Sequence, residues 1–179
     1  MKLWKKLLIA LFAFVIVVVL IGFILPAHVR VERRVTIRAK PEVVFARIAT
    51  LRRWQEWTAW TTNRFPDMTL RFEGPDSGAG TVMIAAGKSS GDGKVTITRV
   101  EPANGIDYEL DFNHGTQIFQ AAISFEPVGD DDLKVIWSYE ADLGRNPFKR
   151  WAGLMFDRLM GGDLEAGLIN LKRLSEQSR

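Results

Sequence analysis

Residues 87–91 read G-K-S-S-G, the G-x-S-x-G spacing of a nucleophile elbow, and Asp107 and His114 follow in the order that would complete an acyl-transfer triad. An elbow needs a strand-to-helix turn that lifts the serine hydroxyl clear of the chain. Here the segment joins T-V-M-I-A-A to K-V-T-I-T-R-V through a run of Gly, Ser and Asp, so it is read as a hairpin loop. The same G-K-S fails as a phosphate loop, because Val82 stands where the first glycine of G-x-x-x-x-G-K-[ST] belongs. With no cysteine and only two histidines, His28 and His114, no cluster has metal-ligand spacing. Neither a metal nor another cofactor is expected. Asp130, Asp131 and Asp132 are consecutive in a turn, which suits solvent.

The remaining chemistry is apolar. Three of six tryptophans fall in L-R-R-W-Q-E-W-T-A-W, residues 51–60. At 100° per residue Trp54, Trp57 and Trp60 stay on one broad helical face, so a short helix ending near residues 61–63 is predicted. Trp54 and Trp57 are expected in the core and Trp60 at the rim of a cavity. Further along, Phe112, Phe119, Trp137 and Tyr139 occupy inward positions of alternating segments. Together with Trp60 they are the candidate ligand-binding residues, Tyr139 offering a hydroxyl in apolar surroundings. Each could equally serve only to fill the core. No catalytic residue is assigned.

The elements that must position these side chains are legible from periodicity. V-R-V-E-R-R-V-T-I-R-A, residues 29–39, alternates as a half-buried strand, with Arg33 the exception on its apolar face. Pro41 and Glu42 open a helix carrying Val44, Ile48 and Leu51 on one face. M-T-L-R-F, T-V-M-I-A-A, K-V-T-I-T-R-V, I-D-Y-E-L-D-F, T-Q-I-F-Q-A-A-I-S-F-E-P and L-K-V-I-W-S-Y-E-A-D-L follow. These are six strands with short connections, hence an antiparallel meander. A helical segment from about 147 to 175 closes the chain, with Phe148, Trp151, Met155, Leu159, Leu168, Leu171 and Leu174 expected to be buried. Gly161 and Gly162 are expected to soften or kink it, with Asp163 restarting the helix.

Residues 7–25, L-L-I-A-L-F-A-F-V-I-V-V-V-L-I-G-F-I-L, carry no charge and as a helix approach the ~30 Å of a bilayer's hydrocarbon core. Lys2, Lys5, Lys6 and Trp4 precede them, and I-L-P-A-H is a poor signal-peptidase site. Residues 1–27 are therefore read as a single-span membrane anchor and residues 28–179 as one domain. The lysines favour a domain outside the cytoplasm, on the periplasmic side in a bacterium; Arg30, Arg33, Arg34 and Arg38 pull the other way. Residues 1–64 hold 12 Lys and Arg against 3 Asp and Glu, a basic end suited equally to anionic lipid headgroups or to an ordinary solvated surface. No nucleic-acid-binding motif accompanies that charge.

T-I-R-A-K-P-E-V-V-F-A-R-I, W-Q-E-W-T-A-W, E-G-P-D-S-G-A-G-T, G-D-G-K-V-T-I-T-R-V-E-P, D-L-K-V-I-W-S-Y-E-A-D-L-G and M-G-G-D-L-E-A-G-L-I-N-L-K-R-L-S-E, in this order and spacing, resemble the START-like or SRPBCC superfamily, in particular its polyketide cyclase/dehydrase-like branch. The chain departs from it in Ala59, usually proline, and in lacking a tryptophan near residues 85–87. The resemblance implies an α+β helix-grip (Bet v 1/START-like) fold, a curved antiparallel sheet around a long C-terminal helix with a hydrophobic cavity between them. It leaves three functions open: a membrane-anchored binding protein for a hydrophobic small molecule or lipid, a cyclase- or dehydrase-like enzyme pairing Tyr139 with a cavity carboxylate, and a non-catalytic structural or partner-binding domain. General acid–base catalysis needs a positioned titratable pair. The acidic residues on the strands fall mostly on outward positions, which favours binding.

Overall fold

The computed structural model describes residues 3–112, 115, 117–128 and 132–177. Helix α1 (Leu3–Ile24) projects from the domain with its apolar side chains exposed; it is the one described helix long and apolar enough to cross a membrane. Strand β1 (His28–Ile37) follows, then α2 (Pro41–Ile48), a 3-10 turn (Leu51–Arg53) and the single-turn α3 (Trp54–Trp57). Six strands come next: β2 (Thr69–Glu73), β3 (Val82–Ala86), β4 (Gly93–Glu101), β5 (Gly105–Phe112), β6 (Gln117–Val128) and β7 (Asp132–Asp142). Helices α4 (Pro147–Gly153) and α5 (Phe156–Glu176) end the described chain.

The strands form one antiparallel sheet in the order β1-β7-β6-β5-β4-β3-β2. Consecutive strands from β2 to β7 pair as hairpins, and β1 closes against β7 with Val31 opposite Tyr139 and Arg33 opposite Trp137. Alternation puts Ile97, Tyr108, Ala121, Ile123, Val135 and Trp137 on the buried face. Leu164, Leu168 and Leu171 lie at i, i+4 and i+7 of α5 and are buried against this layer. Gly167 allows a close approach: a Cβ there would meet the Trp137 ring at 2.6 Å.

Three expectations are corrected. The tryptophan helix stops at Trp57: Thr58 turns extended, with its amide and its hydroxyl each donating to the Trp54 carbonyl at 2.9 Å; Trp60 therefore sits on the segment after the helix. The C-terminal helix breaks between Gly153 and Phe156, whereas Gly161 and Gly162 lie inside continuous α5. Gly161 answers instead to Arg33, whose guanidinium a Cβ would strike at 2.2 Å. Finally, Phe148, Met155 and Leu159 are not buried; they are 66%, 52% and 66% exposed.

Arg33 is seated on the apolar face of β1 by Asp157 in α5, through two bonds of 2.8 and 3.0 Å. The pair raises the guanidinium pKa and lowers that of the Asp157 carboxyl. A second cation, Arg47 of α2, is buried between Glu56 (2.9 Å) and the Leu174 carbonyl (3.0 Å). It joins the short helices to the end of α5.

Candidate functional site

A cavity of about 70 Å³ opens between α3, strands β2 to β5, β7 and the start of α5. Trp54, Trp60, Met83, Tyr108, Phe112 and Met160 are among the residues of its wall, and none of the lining residues is an Asp, Glu, His, Lys or Arg. Three methionines, Met68, Met83 and Met160, give that wall adaptable, polarisable side chains.

Its polar side chains are Thr58, two tyrosines and the indoles of Trp54, Trp60 and Trp137. Ala121 on β6 pairs with Tyr108 on one side and Tyr139 on the other. A methyl group between two phenols leaves room for the rings to lean together, edge to face at 6.3 Å between centroids. The Trp137 Nε1–H donates to the Tyr108 hydroxyl at 2.7 Å. Trp54 meets the Tyr108 ring edge-on at 5.0 Å, and its own N–H is satisfied by the Ile48 carbonyl at 2.8 Å. Burial pushes the Tyr108 hydroxyl pKa well above the ordinary value, and the neighbouring Tyr139 adds to the shift. Tyr139 is raised too, again chiefly by burial, against the opposing effect of its bond to Tyr108 and with a further upward push from the Asp163 charge. Both phenols are neutral at any physiological pH. They can donate or accept a hydrogen bond, but neither is a base.

The rim is held by one carboxylate. Asp163, three residues beyond Met160 on α5, accepts from Trp60 Nε1 at 3.1 Å and from Arg64 at 2.8 Å. The Trp60 ring packs beside Phe65 (5.3 Å) and Phe112 (5.9 Å). The segment after α3 is thereby pinned to the long helix across the mouth of the cavity.

Of the residues singled out from sequence, Trp60, Phe112, Trp137 and Tyr139 line this space. Phe119 does not: it is stacked flat on Phe156 at 5.3 Å, behind Phe112. Alternation specifies which face of a strand a residue occupies, not which end of that face a helix covers. Tyr108 and Trp54 were missed as site residues. The signal for Tyr108 was present, since it shares the inward row of Phe112. Met160 had no such signal.

The G-K-S-S-G segment joins β3 to β4, and the Ser89 amide and hydroxyl both bond to the Asp67 carboxylate. Asp107 is paired with Arg99 at 2.8 Å, so the triad order has no spatial counterpart in these residues. His114, Asp130 and Asp131 lie outside the described residues. Asp132 begins β7 and pairs with Arg38 at 3.5 Å. No group of three His, Asp or Glu side chains that could hold a metal occurs among the described residues.

A family sequence model described as polyketide cyclase / dehydrase and lipid transport matches residues 28–176. Norcoclaurine synthase from Thalictrum flavum, solved with dopamine and hydroxybenzaldehyde, superposes with a TM-score of 0.63 at 14% identity, over 89% of this chain and 92% of that one. The di-domain ARO/CYC protein StfQ of the steffimycin biosynthetic pathway gives 0.64 at 11% identity, over 85% of this chain and 52% of its own. A hypothetical protein from Helicobacter pylori gives 0.61 at 9% identity, over 82% and 87%. At such identities these likenesses show the fold. No curated protein sequence matches the chain.

Proposed function

The chain belongs to the polyketide cyclase / dehydrase and lipid transport family, and from that premise we propose that it is a membrane-anchored binding protein for a small hydrophobic molecule or lipid. The cavity wall carries this reading: it is mostly apolar, it has two neutral phenol hydroxyls for orientation, and it lacks any side chain that titrates near neutral pH. Such a wall recognises shape and one or two polar atoms; it has no general base to offer. A volume of about 70 Å³ falls below the ~300 Å³ at the low end of ordinary ligand sites. A larger ligand therefore enters by displacing part of the wall, and the Trp60 segment and the methionines are its adaptable parts. Helix α1 supplies the anchor: 22 residues make a span of about 33 Å. The lysines before it favour a domain on the side of the membrane away from the N-terminus.

Native mass spectrometry of the full chain released from detergent tests the binding. The expected result is a one-to-one complex with a co-purifying apolar molecule, lost in Ala85→Trp, which fills the cavity. A wild-type chain that carries nothing and takes up no added fatty acid would overturn the reading.

A second reading, catalysis of the cyclase or dehydrase type, would use Asp163, the carboxylate bonded to Trp60 of the cavity wall. Asp163 is engaged by Arg64 and Trp60, which suits a structural pin better than a proton carrier. Conversion of the bound molecule by wild type, abolished in Asp163→Asn with binding retained, would replace binding by catalysis.

A further inference from the structure

Outside α1, four of the large exposed apolar side chains fall within twelve residues: Phe148, Leu154, Met155 and Leu159, each more than half exposed. They cover the corner between α4 and α5. Arg145 precedes them and Lys149 and Arg158 are interleaved with them, all three exposed, and the acidic Asp157 in their midst is matched by Arg33. Exposed apolar residues bordered by cations are the composition of an element lying in a membrane interface.

The corner is also fixed to the span. Gly22, the buried residue of α1, would drive a Cβ to 2.6 Å from the Pro147 Cβ, so α4 lies directly on the helix. Arg150 donates to the carbonyls of Phe23 and Leu25 at 2.7 and 3.1 Å. These are groups that the end of a helix leaves without partners. Trp151 Nε1 donates to the Val18 carbonyl at 3.0 Å, six residues or about 9 Å before the end of α1. That is the depth, ~5–10 Å, to which interfacial helices bury their apolar faces. Only residues 25–27 separate α1 from β1, a reach of about 10 Å, and the amide of Leu143, the residue after β7, donates to the Ala27 carbonyl at 2.7 Å. The domain therefore stays close to whatever surrounds α1.

We propose that residues 147–159 lie in the membrane interface and seat the domain on the bilayer, with Phe148, Leu154, Met155 and Leu159 among the lipid chains and Arg145, Lys149 and Arg158 at the headgroups. This rests on the reading of α1 as a membrane span. The next residue after this patch, Met160, lines the cavity, so the seated domain turns that edge of its binding site towards lipid.

The chain has no cysteine, which permits single-site labelling of the full-length protein. Leu154→Cys, Leu159→Cys, Ile21→Cys and Ile169→Cys, all at positions more than 40% exposed, would each carry a bimane probe in phosphatidylcholine–phosphatidylglycerol vesicles. The vesicles contain lipids brominated near the glycerol end of the acyl chain. Probes at 154 and 159 should be quenched to the same fold as the probe at 21, and the probe at 169 should keep its emission. An unquenched probe at 21 would mean that α1 is not in the bilayer, and the anchor reading fails with the proposal. Quenching at 21 but not at 154 and 159 overturns the proposal alone. So does equal quenching at 169, or disulfide formation between Leu159→Cys copies in place of quenching, which would assign the face to a second copy of the chain.

Discussion

The C-terminal helical segment has two halves that read alike in sequence and behave oppositely in the fold. From residue 161 onward Leu164, Leu168 and Leu171 are at most 2% exposed, while before it Phe148, Leu154, Met155 and Leu159 are 52% to 66% exposed. Both halves place apolar residues at helical spacing. Periodicity shows that such residues share a face, but it is silent on what covers that face. The second half is covered by the sheet and by the tryptophan helix, whose Trp57 carbonyl accepts from Asn170 of α5 at 3.3 Å. The first half touches protein on other sides: Gly153 lies against Val29 and Leu143, and Trp151 against α1. Its remaining apolar surface faces out of the fold.

The largest expected contrast is between two aromatic side chains. Trp57 is fully buried beside Trp137, at 5.1 Å between ring centroids, and Trp57→Ala should cost about 3–5 kcal/mol. That is a large share of a domain stability of ~5–15 kcal/mol. Phe148→Ala should stay within about 0.5 kcal/mol, as surface substitutions do. Thermal unfolding of the detergent-solubilised full chain reads both. The leucines give a smaller version of the same contrast: Leu168→Ala should cost about 2–5 kcal/mol and Leu159→Ala about 0.5 kcal/mol or less. If Leu159→Ala lowered the melting temperature as far as Leu168→Ala does, protein would have to cover both halves and the comparison would collapse.

The same distinction explains what was legible in the sequence. Most strands of the sheet were visible in their alternation, β3 in the turns that flank its apolar run, and the inward row of Tyr108 and Phe112 followed from that alternation. Helix α2 was signalled by Pro41 and by the spacing of Val44, Ile48 and Leu51. Features that depend on a partner far along the chain were not visible. Trp60 leaves the tryptophan helix and is held instead by Asp163 of α5, 103 residues further along. Gly161 marks the passage of Arg33 rather than a kink, since the strand carrying Arg33 lies under α5. The cavity itself is set by small residues at contact points, Ala121 between two tyrosines and Gly167 against Trp137. Their role exists only once the elements are packed.

The smallest effect at neutral pH is also the most selective for the covered side of the molecule. The chain has two tyrosines, and both, Tyr108 and Tyr139, lie in the cavity wall with pKa values raised by burial. An unfolded chain ionises its tyrosines near pH ~10. The folded state therefore holds these protons more tightly than the unfolded state, and their contribution to stability is intact below pH ~10. Above it the unfolded chain releases protons that the folded chain keeps. Stability should then fall by about 1.4 kcal/mol per tyrosine for each pH unit until the folded-state values are reached. Phenolate absorbance should accordingly be missing from the folded protein at pH values where free tyrosine is ionised. It should rise together with the loss of tryptophan circular dichroism, in one cooperative step. A gradual phenolate signal centred near pH ~10 in a protein that remains folded would mean that water reaches Tyr108 or Tyr139 freely. The wall would then be open to solvent, as the α4 corner is, and the contrast between a protein-covered half and an uncovered half would fail at the cavity.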